Sequence, residues 1–77
     1  MPRLNCTFQG FIDIIVEHGF ELHRHDATSH RRYRGIVDGE VKLVDVAPHG
    51  SMTDQIGKDL LCNMIRQCGL SKKLFRK

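Results

Sequence analysis

Two stretches of the chain carry apolar residues at the spacing of an amphipathic helix. In the first stretch, a stripe at i, i+3, i+4, i+7 and i+8 consists of Phe8, Phe11, Ile12, Ile15 and Val16. Thr7 stands where a capping side chain accepts backbone N–H groups, and Gly19 suits the left-handed residue that ends a helix. In the second stretch, from about Lys58 to Cys68, the stripe consists of Leu61, Met64, Ile65 and Cys68. We therefore predict one helix near each end of the chain, the second closing at Gly69.

Between these helices, polar and apolar residues alternate with the period of a β-strand. Residues 20–25 predict a first strand that buries Phe20 and Leu22. Residues 29–37 and 40–47 predict two more strands, and Asp38-Gly39 between them is typical of a two-residue type I′ hairpin turn. The predicted order of helix, three antiparallel strands and helix is an α+β fold with both helices packed on one face of the sheet. At 77 residues we expect a single domain spanning residues 1–77.

The hairpin register decides which side chains share a face of the sheet. If Asp38 and Gly39 form the turn, the predicted cross-strand pairs are Val37–Glu40, Ile36–Val41, Arg34–Leu43, Tyr33–Val44, Arg32–Asp45, Arg31–Val46 and His30–Ala47. The side that carries Tyr33 and Val44 is the apolar one and predicts the core face. The opposite, open face then presents a row of side chains formed by His30, Arg32 and Arg34. Asp45 lies opposite Arg32, which predicts a cross-strand ion pair.

Basic residues are unevenly distributed along a chain whose formal net charge is only +3. Residues 23–34 and 72–77 hold eight of the twelve Lys and Arg residues and a single acid, Asp26. This pattern indicates a phosphate-bearing or acidic partner, or else a solvated basic surface. No apolar run approaches the roughly 18 residues of a membrane span, and the N-terminal residues lack the apolar core of a signal peptide. We expect a cytoplasmic protein without membrane contact.

The residues around His30 have the chemistry that metal-independent cleavage of RNA requires. An imidazole can give or take a proton near neutral pH, and guanidinium groups grip phosphate oxygens in bidentate fashion. Spacing alone does not distinguish this arrangement from an ordinary exposed histidine among solvated arginines. His49, which follows Pro48, is either a turn residue or a second proton-transfer group.

A metal site is the other chemistry that the histidines suggest, because His23 and His25 are two apart and His30 follows. The cysteines, however, are Cys6, Cys62 and Cys68, which form no Cys-x-x-Cys pair and do not match the usual spacing of zinc ligands. We predict reduced thiols, no metal and no cofactor.

Five segments of the chain, taken in order, resemble the HicA family of toxins. They are residues 18–24, with Gly19-Phe20 and Arg24; 28–33, with Ser29-His30; 44–49; 56–58, with Gly57-Lys58; and 65–70, with Gln67-Cys68-Gly69-Leu70. The resemblance covers about residues 8–70. The family has a glycine before its Ser-His pair, where this chain has Thr28, and the turn from Arg24 to His30 is one residue longer here.

This resemblance implies a double-stranded-RNA-binding-like α-β-β-β-α fold and the toxin component of a type II toxin–antitoxin system. It implies an endoribonuclease (mRNA interferase) that cleaves mRNA and is neutralised by a HicB-type antitoxin, with DNA contacted only indirectly through the antitoxin complex. The family's catalytic histidine corresponds to His30. We expect RNA to be bound by the residues Arg24, Ser29, Arg32, Arg34 and Lys58. The alternative function is a non-catalytic RNA-binding module of the same fold.

Overall fold

A computed structural model describes residues 6–25, 30–48 and 50–75 of the chain. The elements follow in the order α1 (Phe8–Glu17), β1 (Glu21–His25), β2 (Arg31–Val37), β3 (Glu40–Val46), α2 (Lys58–Cys68) and a short 3-10 helix, η1 (Lys72–Phe75). The three strands form one antiparallel sheet in the order β1-β2-β3. The predicted α+β class, with two helices and a three-stranded antiparallel sheet, is confirmed. Within the described part of the chain, every helix is too short or too polar to pass through a lipid bilayer.

Helix α1 begins at the predicted cap. The Thr7 hydroxyl accepts a hydrogen bond from the Gly10 backbone N–H at 3.0 Å, which satisfies a donor that the first helical turn leaves without a partner. The apolar stripe is buried as predicted, except that Val16 is half exposed. Val16 lies at the margin of the stripe in the last turn of α1, so the core covers its inner neighbours and not its own side chain.

The hairpin of β2 and β3 has the predicted register, but both strands end one pair short of the predicted His30–Ala47 pair. Tyr33 lies opposite Val44, and the pairing runs without interruption from Val37–Glu40 to Arg31–Val46. Asp38 and Gly39 both have positive φ, 53° and 80°, as a type I′ turn requires. The turn therefore sets which side chains of β2 and β3 face the core.

One apolar core joins one face of the sheet to both helices. Its members include Tyr33, Val44 and Val46 from the sheet and the whole predicted stripe of α2, which is Leu61, Met64, Ile65 and Cys68. Helix α2 ends at Gly69, which has the left-handed φ of 73° and donates its N–H to the Ile65 carbonyl at 3.0 Å. The 3-10 helix η1 adds Phe75, whose ring stacks on that of Phe11 with centroids 5.0 Å apart.

The prediction that β1 buries both Phe20 and Leu22 was half wrong. Phe20 immediately precedes β1 and is fully buried, whereas Leu22 is 51% exposed. Leu22 lies opposite Tyr33, but β1 is an edge strand, and α2 packs on β3 at the other edge of the sheet. The apolar surface of the helices therefore does not extend over Leu22.

Phe20 instead packs directly on the backbone of β2. Its ring lies against Gly35, where a Cβ atom would come within 2.6 Å of two ring carbons. Glycine at this position lets the aromatic ring rest on the strand itself. The contact fixes the end of α1 and the start of β1 against the strand that carries Arg32 and Arg34.

Candidate functional site

A cavity of about 110 Å³ opens on the sheet where β2 begins. It is lined by Arg24, His30, Arg31, Arg32 and Asp45. His30 immediately precedes β2 and is exposed. Three of the predicted site residues, one on β1, one on β2 and one just before β2, therefore meet around a single concave surface.

The position of Arg32 is set by Asp45 on the neighbouring strand. The Arg32 Nε donates to Asp45 Oδ1 at 2.8 Å and its Nη2 donates to Oδ2 at 3.4 Å, so the guanidinium and the carboxylate meet in a forked arrangement. This confirms the predicted cross-strand pair. Both side chains are about half exposed, and an ion pair of that kind contributes at most about 1 kcal/mol to stability. Its effect here is mainly to orient Arg32 beside the cavity.

Asp45 is itself held by helix α2. The side-chain oxygen of Gln67 accepts a hydrogen bond from the Asp45 backbone N–H at 3.3 Å. This bond satisfies an outward-facing N–H of the edge strand β3, which would otherwise be open to pairing with another chain. One end of α2 thus helps to define the position of the carboxylate that orients Arg32.

Arg24 reaches the cavity because of a β-bulge. Strict alternation from Leu22, which lies opposite Tyr33, would place Arg24 on the core face of the sheet. The register shifts between Leu22 and Arg24, so that Arg24 pairs with Arg32 on the open face. The bulge inserts His23 as the extra residue and turns the next side chain to the other face.

Arg31 is a cavity residue that the sequence did not indicate. It pairs with Val46 on the core side of the sheet and is only half buried. One of its terminal N–H groups donates to the sulfur of Met52 at 3.3 Å. Because Arg31 is the first residue of β2, its long side chain lies at the end of the sheet, where it also borders the cavity. Strand alternation places Arg31 on the core face and not on the open face that carries the cavity. No local sequence pattern therefore identifies it as a cavity residue.

The remaining predicted residues lie elsewhere or outside the description. Arg34 is exposed on the open face, opposite Leu43 of β3 and Glu21 of β1, two residues along the strand from Arg32. Lys58 is the exposed first residue of α2. Neither is among the residues that line the cavity. Ser29, together with Thr28 and His49, lies outside the described residues.

Apolar side chains continue the open face beyond Arg34. Ile36 is 61% exposed, Val41 is 53% exposed and Leu43 is 45% exposed. Ile36 and Val41 are a directly opposed pair, and Leu43 faces Arg34. The open face is therefore basic at the His30 end and apolar at the hairpin end. We call these three residues the apolar end of the open face.

The cysteines are free thiols and do not form part of the cavity. Cys6 and Cys68 are buried and Cys62 is half buried. Burial raises the pKa of the Cys68 thiol, although hydrogen bonds with the backbone partly oppose that shift. Over residues 6–25, 30–48 and 50–75, no three His, Cys, Asp or Glu side chains are grouped so as to hold a metal ion.

Comparison of the chain with protein family models, with curated proteins and with solved structures gives no match.

Proposed function

We propose that this protein is an endoribonuclease toxin of the HicA kind, with the double-stranded-RNA-binding-like version of the α+β fold. The observation that supports the proposal best is the cavity in which His30 lies among the guanidinium groups of Arg24, Arg31 and Arg32. A proton-transfer group and several fixed cations in one concavity match the requirements of phosphodiester cleavage.

The reaction starts when the 2′-hydroxyl oxygen of the RNA attacks the adjacent phosphorus. A P–O2′ bond forms, the bond from phosphorus to the 5′-oxygen breaks, and the products end in a 2′,3′-cyclic phosphate and a 5′-hydroxyl. One proton must leave the 2′-oxygen and one must reach the 5′-oxygen. His30 transfers the proton at one of these two oxygens, and solvent water accepts or supplies the proton at the other. The guanidinium groups stabilise the extra negative charge on the phosphorane oxygens.

The partner that neutralises the toxin is proposed to be an acidic HicB-type antitoxin that covers the open face. Such a partner buries the apolar end of the open face, which is Ile36, Val41 and Leu43, and places carboxylates against Arg34 and Arg32. The open face has apolar surface at one end and cations at the other. It therefore complements a partner that has an apolar patch beside acidic side chains. Contact with DNA takes place only through the complex with that partner.

The decisive experiment replaces His30 with alanine in the purified protein and follows RNA cleavage in the presence of EDTA. Removal of a general acid or base lowers rates by about 10²- to 10⁴-fold, so the variant should be at least about 100-fold slower. His30 is exposed, and so the thermal unfolding of the variant should be close to that of the parent protein.

His18→Ala is the matched control. It also removes one exposed imidazole, but from the end of α1, where the ring contacts the Ile14 carbonyl. This variant should cleave at the parental rate. Full cleavage by His30→Ala would remove His30 from the mechanism. An RNA gel shift with no cleavage by the parent protein would favour the alternative, a non-catalytic RNA-binding module.

A further inference from the structure

The two edge strands of the sheet differ in how well they are protected against pairing with another strand. Strand β1 is interrupted by the bulge at His23, and it also carries the charged side chains of Glu21 and Arg24. Bulges and charged side chains are common means by which edge strands avoid pairing with another chain. Strand β3, in contrast, pairs with β2 at every position from Glu40 to Val46. The outer edge of β3 is therefore the more open of the two.

Backbone groups on that outer edge are available near the hairpin turn. In a two-residue hairpin the residues that flank the turn exchange both hydrogen bonds. Counting from that pair, the N–H and C=O groups of Val41, Leu43 and Asp45 point away from β2. Gln67 accepts a hydrogen bond from the Asp45 N–H, whereas the N–H groups of Val41 and Leu43 have no acceptor among the described residues. The side chains of Val41 and Leu43, on the open face, are about half exposed as well.

The other side of this short stretch is also clear for a second strand. The Lys42 Nζ donates to Glu40 Oε2 at 3.1 Å, so the ammonium group already has a counter-ion. Helix α2 contacts β3 through Gln67 at Asp45 and ends at Gly69, where a Cβ atom would lie 3.1 Å from the Lys42 side chain. The helix thus runs towards the hairpin and stops at the level of Lys42, which leaves the edge beside Glu40 clear of α2.

We infer that the outer edge of β3 binds a second copy of this chain, by antiparallel pairing of the two β3 strands about a twofold axis at Val41. Each Val41 N–H then donates to the Val41 carbonyl of the other copy. The same register places Lys42 of each copy opposite Glu40 of the other, and Leu43 opposite Gly39. The two three-stranded sheets join into one sheet, and the apolar ends of the two open faces become adjacent. This inference does not depend on the proposed nuclease function.

Charge and backbone bonding favour this register over its neighbours. A twofold axis at Lys42 would place two ammonium groups directly opposite each other, which destabilises antiparallel pairing. An axis at Leu43 would require the Asp45 backbone, whose N–H is already bonded to Gln67. With the axis at Val41, two carboxylates face two ammonium groups, and each α2 helix stops before it reaches the axis. The edge is therefore complementary to itself, as a twofold interface requires.

Sedimentation velocity of the whole protein, without RNA, tests the association. Interfaces of ordinary size bind with micromolar or tighter dissociation constants, so this shorter contact should have one on the order of 100 μM. The 8.9 kDa chain should then sediment mainly as a monomer at about 10 μM and mainly as a dimer at about 1 mM.

Val41→Pro removes the outward N–H on which the pairing depends. That N–H takes no part in the ladder between β2 and β3, and proline is tolerated on an edge strand where its nitrogen faces outward, so circular dichroism should show an intact fold. Two equivalent hydrogen bonds are lost in each dimer, and dimerisation should weaken by at least about tenfold. Val41→Ile is the matched control, because it keeps both the N–H and the β-branched side chain, and it should dimerise like the parent protein.

Charge reversals test the register and leave the backbone donors in place. In Glu40→Lys the new lysine faces Lys42 of the other copy, and in Lys42→Glu the new glutamate faces Glu40. Each variant alone should dimerise at least about tenfold more weakly than the parent protein. An equimolar mixture of the two should recover dimerisation, because opposite charges face each other at both positions. Glu21→Lys makes the same change of charge on β1 and should have no effect.

Three results would each overturn the inference. They are a protein that stays monomeric at the highest concentration, a dimer that persists in Val41→Pro, and a mixture of the charge variants that associates no better than either variant alone. The RNA cleavage assay gives a separate answer, because the cavity with His30 lies at the opposite end of the open face from the hairpin turn.

Discussion

The contact between Gly35 and Phe20 gives a prediction whose magnitude follows from the structure. In Gly35→Ala the new methyl group would lie 2.6 Å from Cδ1 and Cγ of the Phe20 ring and 2.8 Å from Cδ2. Carbon atoms in ordinary contact are about 3.5–4.0 Å apart, so the ring or the strand must move by about 1 Å. The ring is 1% exposed, so it has no solvent to move into.

Two opposing contributions set the size of the effect. Extra volume in a well-packed core costs about 1–3 kcal/mol. Alanine in the middle of a strand recovers about 0.5–1 kcal/mol relative to glycine, because the unfolded chain loses less entropy on folding. The net loss in the free energy of unfolding should be about 1–2 kcal/mol. In a domain of this size, that corresponds to a fall in Tm of about 5–15 °C.

Urea and thermal unfolding, followed by circular dichroism, measure this loss directly. Gly57→Ala is the matched control, since a Cβ atom there meets nothing within 4 Å and φ is −59°. Gly57 is the N-cap of α2, where alanine is less favourable than glycine, so this variant should lose about 0.5 kcal/mol and no more, because no steric obstacle is present.

The double variant Gly35→Ala/Phe20→Leu tests the cause. If the ring is the obstacle, the double variant should be more stable, by about 1 kcal/mol, than the sum of the single effects implies. Parental stability of Gly35→Ala, or strict additivity in the double variant, would refute the reasoning.

Three further predictions concern the open face and the core. Asp45→Ala should lower the free energy of unfolding by less than about 1 kcal/mol, because the ion pair with Arg32 is half exposed. The same variant should bind RNA more tightly, because a carboxylate is removed from the cavity. Weaker RNA binding, measured by fluorescence anisotropy, would contradict this. Leu43→Glu should abolish neutralisation by the antitoxin in a growth assay, since Leu43 lies at the apolar end of the open face. RNA cleavage by this variant should remain measurable. Intact neutralisation would place the antitoxin interface elsewhere. The raised pKa of Cys68 means that the folded state disfavours the thiolate. The free energy of unfolding should therefore be unaffected by this group below its unfolded pKa of about 9.0 and should fall as the pH rises above that value. Cys68→Ala should reduce this fall between about pH 8 and 10, as measured by urea unfolding.

The parts of the fold that the sequence predicted are those controlled by local chemistry. Asp38 and Gly39 adopt positive φ in a two-residue turn, and that turn alone sets the register of β2 against β3. The stripe of α2 is buried in full, because its period of 3.6 leaves the stripe on one side of the helix. The open-face positions of Arg32 and Arg34 follow from these local rules, whereas His30, predicted in the same row, precedes the first paired residue of β2.

The parts that could not be predicted depend on distant contacts. Leu22 satisfies the strand pattern, but its burial depends on how far the helices extend across the sheet, which no local pattern contains. Arg31 lies on the core side by alternation and borders the cavity only because β2 begins there. The sequence therefore predicted that a histidine and arginines meet on the open face, but it did not predict every residue that lines the cavity.

The bulge in β1 explains most about how the site is assembled. Without it, His23 would lie opposite Arg32, and Arg24 would face the core side opposite Arg31. With it, Arg24 pairs with Arg32 on the open face. Like charges directly opposite each other in a sheet destabilise the pairing. The carboxylate of Asp45, which pairs with Arg32, offsets part of this repulsion. The bulge carries no glycine or proline signal, so the sequence alone does not indicate this pairing. The bulge is therefore the local feature that brings a residue of β1 to the cavity lined by β2 and β3.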